Sequence, residues 1–446
     1  MSRNKLLSIK NTFEACGETA LKAAKKLGAH EAEISVAQNT GLTVSIRQHE
    51  IDTLEHQQDK GLVVTVYVDH CKGSASTSDF SDKAIKEAVN VAVDIARFTS
   101  KDEFSGLPAK DDIAWDYPSL DLYHPWEISA EDATELAREC EVSALKFDKR
   151  ITNSEGATLS SHDKVKLYAN SHGFTGFYPS SSHSLSCSVI ASDNEAMQRD
   201  HWYTISREPT FLQTPKEVGR CAAKRAVSRL NARQIPTGKY PVLFSPEMAS
   251  GLIGHLVSAL SGGNVYRKSS FLLDALETKI FPDWIHIYEQ PHIMGAIGSA
   301  PFDSEGVKTT SRNIVTDGIL RSFFLDSYSA KKLKMQSTGN AGGVHNLFVE
   351  SGSLNLSGML KKMGRGLFVT ELMGQGINIV TGNYSRGAAG FWVENGKIQY
   401  PVEEITIADN LSSMFQNIIS VGNDVDTRRN IRTGSILIEE MMVAGN

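Results

Sequence analysis

No apolar run in this chain approaches the roughly 20 residues a membrane-spanning helix needs. The N-terminal stretch "MSRNKLLSIKNTFEACGETA" lacks an apolar core of signal-peptide length, so no membrane partner and a cytoplasmic location are expected. Cationic excess is also missing. A formal charge of −6 gives no electrostatic reason to expect nucleic acid, because phosphate binding needs concentrated Lys and Arg. Five cysteines, Cys16, Cys71, Cys140, Cys187 and Cys221, stand without a CxxC pair or metal-like spacing, which favours reduced, mostly buried thiols over redox or nucleophilic roles.

Catalytic signatures are equally scarce. Neither GxxxxGK[ST] nor GxGxxG occurs, which removes the usual phosphate cradles. In "GNYSRG", Asn383 stands where a nucleophile elbow needs its first glycine, and the SxxK pair Ser329 and Lys332 has no KTG or SDN companion. No HExxH or HExxxH is present. The nearest approach is His286, Glu289 and His292 in "HIYEQPH", where Pro291 forbids a regular helix across all three. His183 and Cys187 in "HSLSC" share one face of an alternating segment, a set of two that is too small for a metal.

What is present divides the chain. A 446-residue length exceeds one compact core. A helix is expected over Thr12 to Leu27, then short antiparallel strands broken at Thr40-Gly41, Lys60-Gly61 and Lys72-Gly73, then a covering helix from Ser81 to Thr99. After an irregular, Pro-containing connection, Ser129 caps a second helix and alternating strands fill Ile151 to Arg207. Thr214, Pro215 and Glu217 spell a capping box. Glycine is sparse early, with 11 in residues 1–250 and 24 in residues 251–446, so a strand-rich C-terminal part follows. The expected class is α+β: N-terminal α/β portions with an antiparallel sheet and covering helices, then a large β-rich domain. The expected units are residues 1–125, 126–233 and 234–446.

One helix draws attention. Ser245 is placed to cap it, Pro246 to begin it, and Gly262 or Gly263 to end it. Met248, Leu252, Leu256, Ala259 and Leu260 form its apolar arc, Gly251, Gly254, Ser258 and Ser261 an opposite face of small residues, and His255 lies at the border. A border histidine is more often a hydrogen-bonded core residue than a catalyst. Glycine-interrupted polar strings, "PFDSEGVKT", "TGNAGGVHN" and "TGNYSRGAAGFWVENGKIQYPVEEITIADNL", also stand out, although hairpin turns account for part of them.

Together with "GSASTSDFS", "DIARFTS", "DLYHP", "KRITNSEG", "GGNVYRKSSFLLD" and "FPDW", those strings resemble the TldD/PmbA family over nearly the whole chain, on its PmbA side. The resemblance implies a subunit of a heteromeric cytosolic metalloprotease acting on unfolded peptides, such as peptide-antibiotic precursors and antitoxins. It places zinc in a TldD-type partner, on an HExxxH helix with a later cysteine. Counting back from Arg267 and Lys268, the three motif positions fall on Gly254, His255 and Ala259, and the cysteine falls near Thr433. Glycine and alanine offer no lone pair, so the expectation is no cofactor and no metal in this chain, with His255 the one catalytic candidate.

Substrate- or subunit-contact candidates are Arg267, Lys268, Asp303, Glu305, Glu371 and Arg386. Arg386 and Lys268 are suited to a peptide carboxylate or an acid across a subunit boundary, with Asp303 and Glu305 as their internal partners. Two alternatives stay open: a stand-alone metalloprotease using His183, His286, His292 or His345, and a homodimeric scaffold that binds regulators.

Overall fold

The computed structural model describes residues 3–446. Helix α1 (Arg3–Lys26) precedes strands β1 (Glu31–Arg47), β2 (Glu50–Val68) and β3 (Cys71–Thr77), and α2 (Asp82–Phe98) follows them. After the connection come α3 (Ala130–Leu145), β4 (Ile151–Asn170), β5 (Thr175–Asp193), β6 (Ala196–Ser206) and α4 (Pro215–Ser228). All six strands make one sheet, ordered β3-β2-β1-β4-β5-β6, so residues on both sides of the 125/126 boundary share a single antiparallel layer.

Strand β1 shows how that sheet is covered. Ala32, Ile34 and Val36 pack with α1 and α2, while Leu42, Val44 and Ile46 pack with α3 and α4. All six positions are even-numbered, and side chains alternate along a strand, so the two helix pairs lie side by side on the same face. Helix α2 brings Ile85, Ala88, Val89, Ala92, Val93 and Ala96 to its buried side at helical spacing.

The turns differ from the sequence expectation. Thr40-Gly41, Lys60-Gly61 and Lys72-Gly73 lie inside strands, and the chain reverses at Gln48-His49 and Asp69-His70, four non-glycine residues with positive φ. Two of the glycines are there for close approach. A Cβ at Gly73 would sit 2.0 Å from the Ala92 carbonyl oxygen, and one at Gly41 would sit 2.1 Å from the His162 ring.

Glu141 of α3 explains how a turn without glycine is held. Its fully buried carboxylate accepts the Gln48 and His49 main-chain N–H groups, both at 2.8 Å. Glu141→Ala strands those donors, and a loss of about 2–3 kcal/mol is expected. Urea unfolding followed by far-UV circular dichroism measures it, and an unchanged midpoint would contradict the assignment.

The C-terminal part begins with β7 (Gly238–Phe244), α5 (Pro246–Leu260) and α6 (Gly262–Tyr266). A second sheet uses β8 (Ile287–Glu289), β9 (Arg312–Thr316), β10 (Ile319–Leu320), then, beyond α7 (Ser327–Leu333), β11 (Leu347–Val349). Helix α8 (Leu356–Met363) leads to β12 (Gly366–Met373), β13 (Asn383–Glu394) and β14 (Lys397–Asn410). After these come α9 (Leu411–Gln416), β15 (Ile418–Val421), β16 (Ile431–Arg432) and β17 (Ile436–Ala444).

The third sheet runs β14-β13-β12-β7-β17-β15, and β14 also pairs with β17, closing a barrel-like ring. Closure through β14 and β17 leaves the short β15 as the strand at the margin of the ring. The ring and α5 share one core: Leu252, Ile253, Leu256 and Leu260 pack with Val242, Phe244, Val369 and Ile407. The α+β class expected from the sequence is the class observed. No helix among the described residues is long and apolar enough to cross a membrane.

Candidate functional site

Helix α5 carries the motif positions and begins at Pro246 as expected, but its capping and its stop differ. Ser245 occupies the N-cap, but its hydroxyl makes no capping bond, and the helix stops at Leu260 because Gly262 opens α6 instead. The Gly262 N–H reaches the Phe324 carbonyl at 2.7 Å, a tertiary bond that overrides the usual glycine stop.

Beside α5, the His255 ring meets Tyr384 edge-on at 5.9 Å. Burial first, and then the positive charge of Arg386, holds the imidazole below its usual pKa, so it is neutral at pH 7. Tyr384 is 2% exposed, and its hydroxyl has no hydrogen-bond partner of normal geometry. Burial pushes its pKa up to about 12 despite the nearby Arg386 charge.

A zinc ion needs three or more converging donors. At the three motif positions α5 offers one imidazole; Ala259 is fully buried, and a Cβ on Gly254 would lie 3.9 Å from the Ile431 side chain. Thr433, at the late-cysteine position, is also fully buried and donates its hydroxyl to the Gly434 carbonyl. Among the described residues no three His, Cys, Asp or Glu side chains are grouped to hold a metal. The residues present do not fit zinc here.

The other histidines raised by the sequence are committed separately. His183 is buried between the Ser161 hydroxyl at 2.9 Å and the His124 carbonyl at 2.8 Å. His292 bonds Thr309, His345 bonds the Gly339 carbonyl, and His286 faces Asp317. Glu289 pairs with Arg312, so the "HIYEQPH" trio does not converge.

The charged candidates are dispersed. Arg267 is exposed and lies over the Tyr266 ring at 5.2 Å, and Lys268 is exposed with a left-handed backbone. Arg386 donates to the Leu372 carbonyl at 3.3 Å. Asp303 and Glu305 pair with neither Arg386 nor Lys268 among the described residues. Asp303 instead accepts the N–H groups of Glu305, Val307 and Ala341, and Glu305 accepts that of Ser327. Main-chain donors supply what the sequence reading assigned to cations. Glu371 pairs with Arg229.

That last pair belongs to a charge bridge the sequence gave no sign of. Asp200 binds Arg225 at 3.1 Å, Arg225 reaches Glu247 at 3.3 Å, Glu247 meets Arg428 at 3.1 Å, and Arg428 meets Asp426 at 2.8 Å. Arg428 also lies over the Trp202 ring at 4.1 Å. The bridge ties β6 and α4 to the first turn of α5, where the helix dipole favours Glu247. Its members lie up to 228 residues apart in the chain, and no local spacing marks them.

Three family models match successive stretches of the chain. Residues 32–96 match the PmbA/TldA metallopeptidase domain 1, residues 123–230 the central domain, and residues 237–445 the C-terminal domain of that group. The chain is 52% identical to "Metalloprotease PmbA" of Escherichia coli O157:H7 over 96% of both chains. A Bacteroides thetaiotaomicron crystal structure, described as a candidate modulator of DNA gyrase, superimposes with a TM-score of 0.92. It shares 29% identity and covers 97% of this chain and 99% of its own. TldE from Thermococcus kodakarensis shares the fold, with a TM-score of 0.84 at 22% identity over 96% and 99% of the two chains.

Proposed function

We propose, from the premise that this chain belongs to the PmbA/TldD metallopeptidase family, that it is the zinc-free subunit of a TldD-type heteromeric peptidase. The observation that carries the reading is the donor set on α5. Where the family resemblance places three ligating or catalytic residues, this chain has Gly254, His255 and Ala259. One neutral imidazole packed against Tyr384 cannot replace the several donors from which a zinc site draws its binding energy.

The work left to such a subunit is to complete the enclosure and hold an extended peptide while the related partner supplies the metal chemistry. Unfolded peptides suit that division, because an extended backbone can be recognised through main-chain hydrogen bonds without a fixed side-chain sequence. Arg267, Lys268 and Arg386 reach solvent at least in part, and they are the residues proposed to meet substrate or partner.

Co-expression with a TldD-type partner tests the proposal. The isolated chain should carry well under one zinc per molecule by elemental analysis and should leave an unfolded peptide intact. The mixture should form a heteromer by size-exclusion chromatography and cleave that peptide. Stoichiometric zinc in the isolated chain with chelator-sensitive cleavage would establish a stand-alone enzyme instead. Persistent self-association that partner titration cannot disperse would favour a homodimeric scaffold.

A further inference from the structure

A cavity of about 550 Å³ opens between β6, the N-terminal end of α5 and the loop 424–428. It lies away from His255: ten residues separate Ser245 from that histidine, about 15 Å along a helix. Three observations within it point to one kind of ligand.

The first is one open main-chain position on a strand edge whose other outward groups are bonded to side chains. Strand β6 is the outermost strand of its sheet. The Arg199 and Tyr203 carbonyls accept bonds from Arg229 and Arg428, and the His201 N–H turns to the Asp200 carboxylate. Odd-numbered β6 residues therefore direct their main-chain groups away from β5. Ile205 lines the cavity with the same parity, and among the described residues its N–H and C=O have no partner on that side.

The second observation is an apolar wall beside that edge. Phe211 and Phe368 contribute to it beside Trp202, whose ring carries the Arg428 guanidinium, and Phe211 is 75% exposed. A phenylalanine left in water beside open main-chain groups fits a side chain that arrives with a backbone.

The third is Ser245. It lines the cavity, is 3% exposed, and its hydroxyl has no hydrogen-bond partner. It sits at the N-cap of the 15-residue α5, whose next residue, Pro246, has no N–H. A buried hydroxyl without a partner is costly unless a ligand meets it.

We propose that this cavity binds an extended peptide segment. The segment adds as a strand to β6 at Ile205, seats an apolar side chain against Phe211, and presents a carbonyl or carboxylate oxygen to the Ser245 hydroxyl. The proposal rests on the reading that this chain handles peptides, and it names where.

The test is fluorescence anisotropy of a labelled six-residue peptide ending in leucine, with the isolated full-length chain. It reads binding to this chain alone, so it stands apart from the zinc and cleavage assays above. Ile205→Pro removes the outward N–H and leaves the bonds to β5 intact, a substitution that edge strands tolerate. Phe211→Ala and Ser245→Ala accompany it, and circular dichroism checks their fold. Ile205→Pro and Phe211→Ala should each weaken binding at least tenfold, and Ser245→Ala several-fold. Weaker binding of the amidated peptide assigns Ser245 to the terminal carboxylate; equal binding assigns it to an internal carbonyl. Wild-type affinity in Ile205→Pro and Phe211→Ala, or no binding at millimolar peptide, overturns the proposal.

Discussion

Arg312→Ala will destabilise the C-terminal part of the protein by about 3–5 kcal/mol, the cost of leaving a buried carboxylate without its cation. Glu289 of β8 is 2% exposed and lies directly across the ladder from Arg312 of β9. The Arg312 Nε and Nη2 groups donate to one Glu289 oxygen at 3.1 and 2.8 Å. The other oxygen accepts the Asn340 side-chain amide at 3.0 Å and the His345 main-chain N–H at 2.6 Å. Each lone pair is matched to a donor, so removing the guanidinium uncovers a desolvated charge that water cannot reach. The double variant Glu289→Met with Arg312→Met should recover much of the loss, because the penalty comes from the orphaned charge rather than from the absent attraction. Thermal and urea unfolding of the three proteins measure both effects. A loss below about 1 kcal/mol in Arg312→Ala would show that the pair is hydrated.

Asp303 should make stability fall as pH rises from about 4 to 7. Burial first, and repulsion from Glu305 second, push its pKa up to about 7, against the three main-chain N–H groups that favour the charged form. An unfolded aspartate titrates near 3.9. A folded pKa above the unfolded one means the contribution is complete below about pH 4 and disappears as pH climbs through 7. Roughly three units correspond to about 4 kcal/mol across that window. Asp303→Asn removes the titration, at a cost of about 1–3 kcal/mol because its amide turns a donor toward a main-chain N–H. Unfolding free energies measured from pH 4.5 to 7.5 should show the wild type losing its advantage over Asp303→Asn as pH rises. Carboxylates remote from the site titrate in both proteins and cancel in the difference, whereas Glu305 repels Asp303 directly, so the difference reports the titration of the pair. Parallel curves would mean that the main-chain donors dominate.

Both residues show where sequence reading stops. Flanked by His286 and His292, Glu289 reads from the sequence as a metal-ligand candidate, but its cation arrives 23 residues later on a neighbouring strand. The sequence pairs Asp303 with Arg386 or Lys268, yet its partners are main-chain groups. Ser245 and Pro246 correctly announced where α5 begins, but the idle Ser245 hydroxyl follows from the packing around it. The turns at Gln48-His49 and Asp69-His70 carry no glycine signal, and the first is held by Glu141 from a helix more than 90 residues away.

From residue order alone came the features whose cause is local. The capping box at Thr214 and Glu217, the Ser129 cap, the buried stripe of α2 and the absence of HExxxH each depend on neighbours within a turn or two. Tertiary structure alone decided that one sheet spans both N-terminal segments, that the barrel closes through β14 and β17, and that Arg428, Glu247 and Asp200 form one bridge. Such contacts join groups far apart in the chain, and their energies depend on burial and distance, which exist only once the chain has folded.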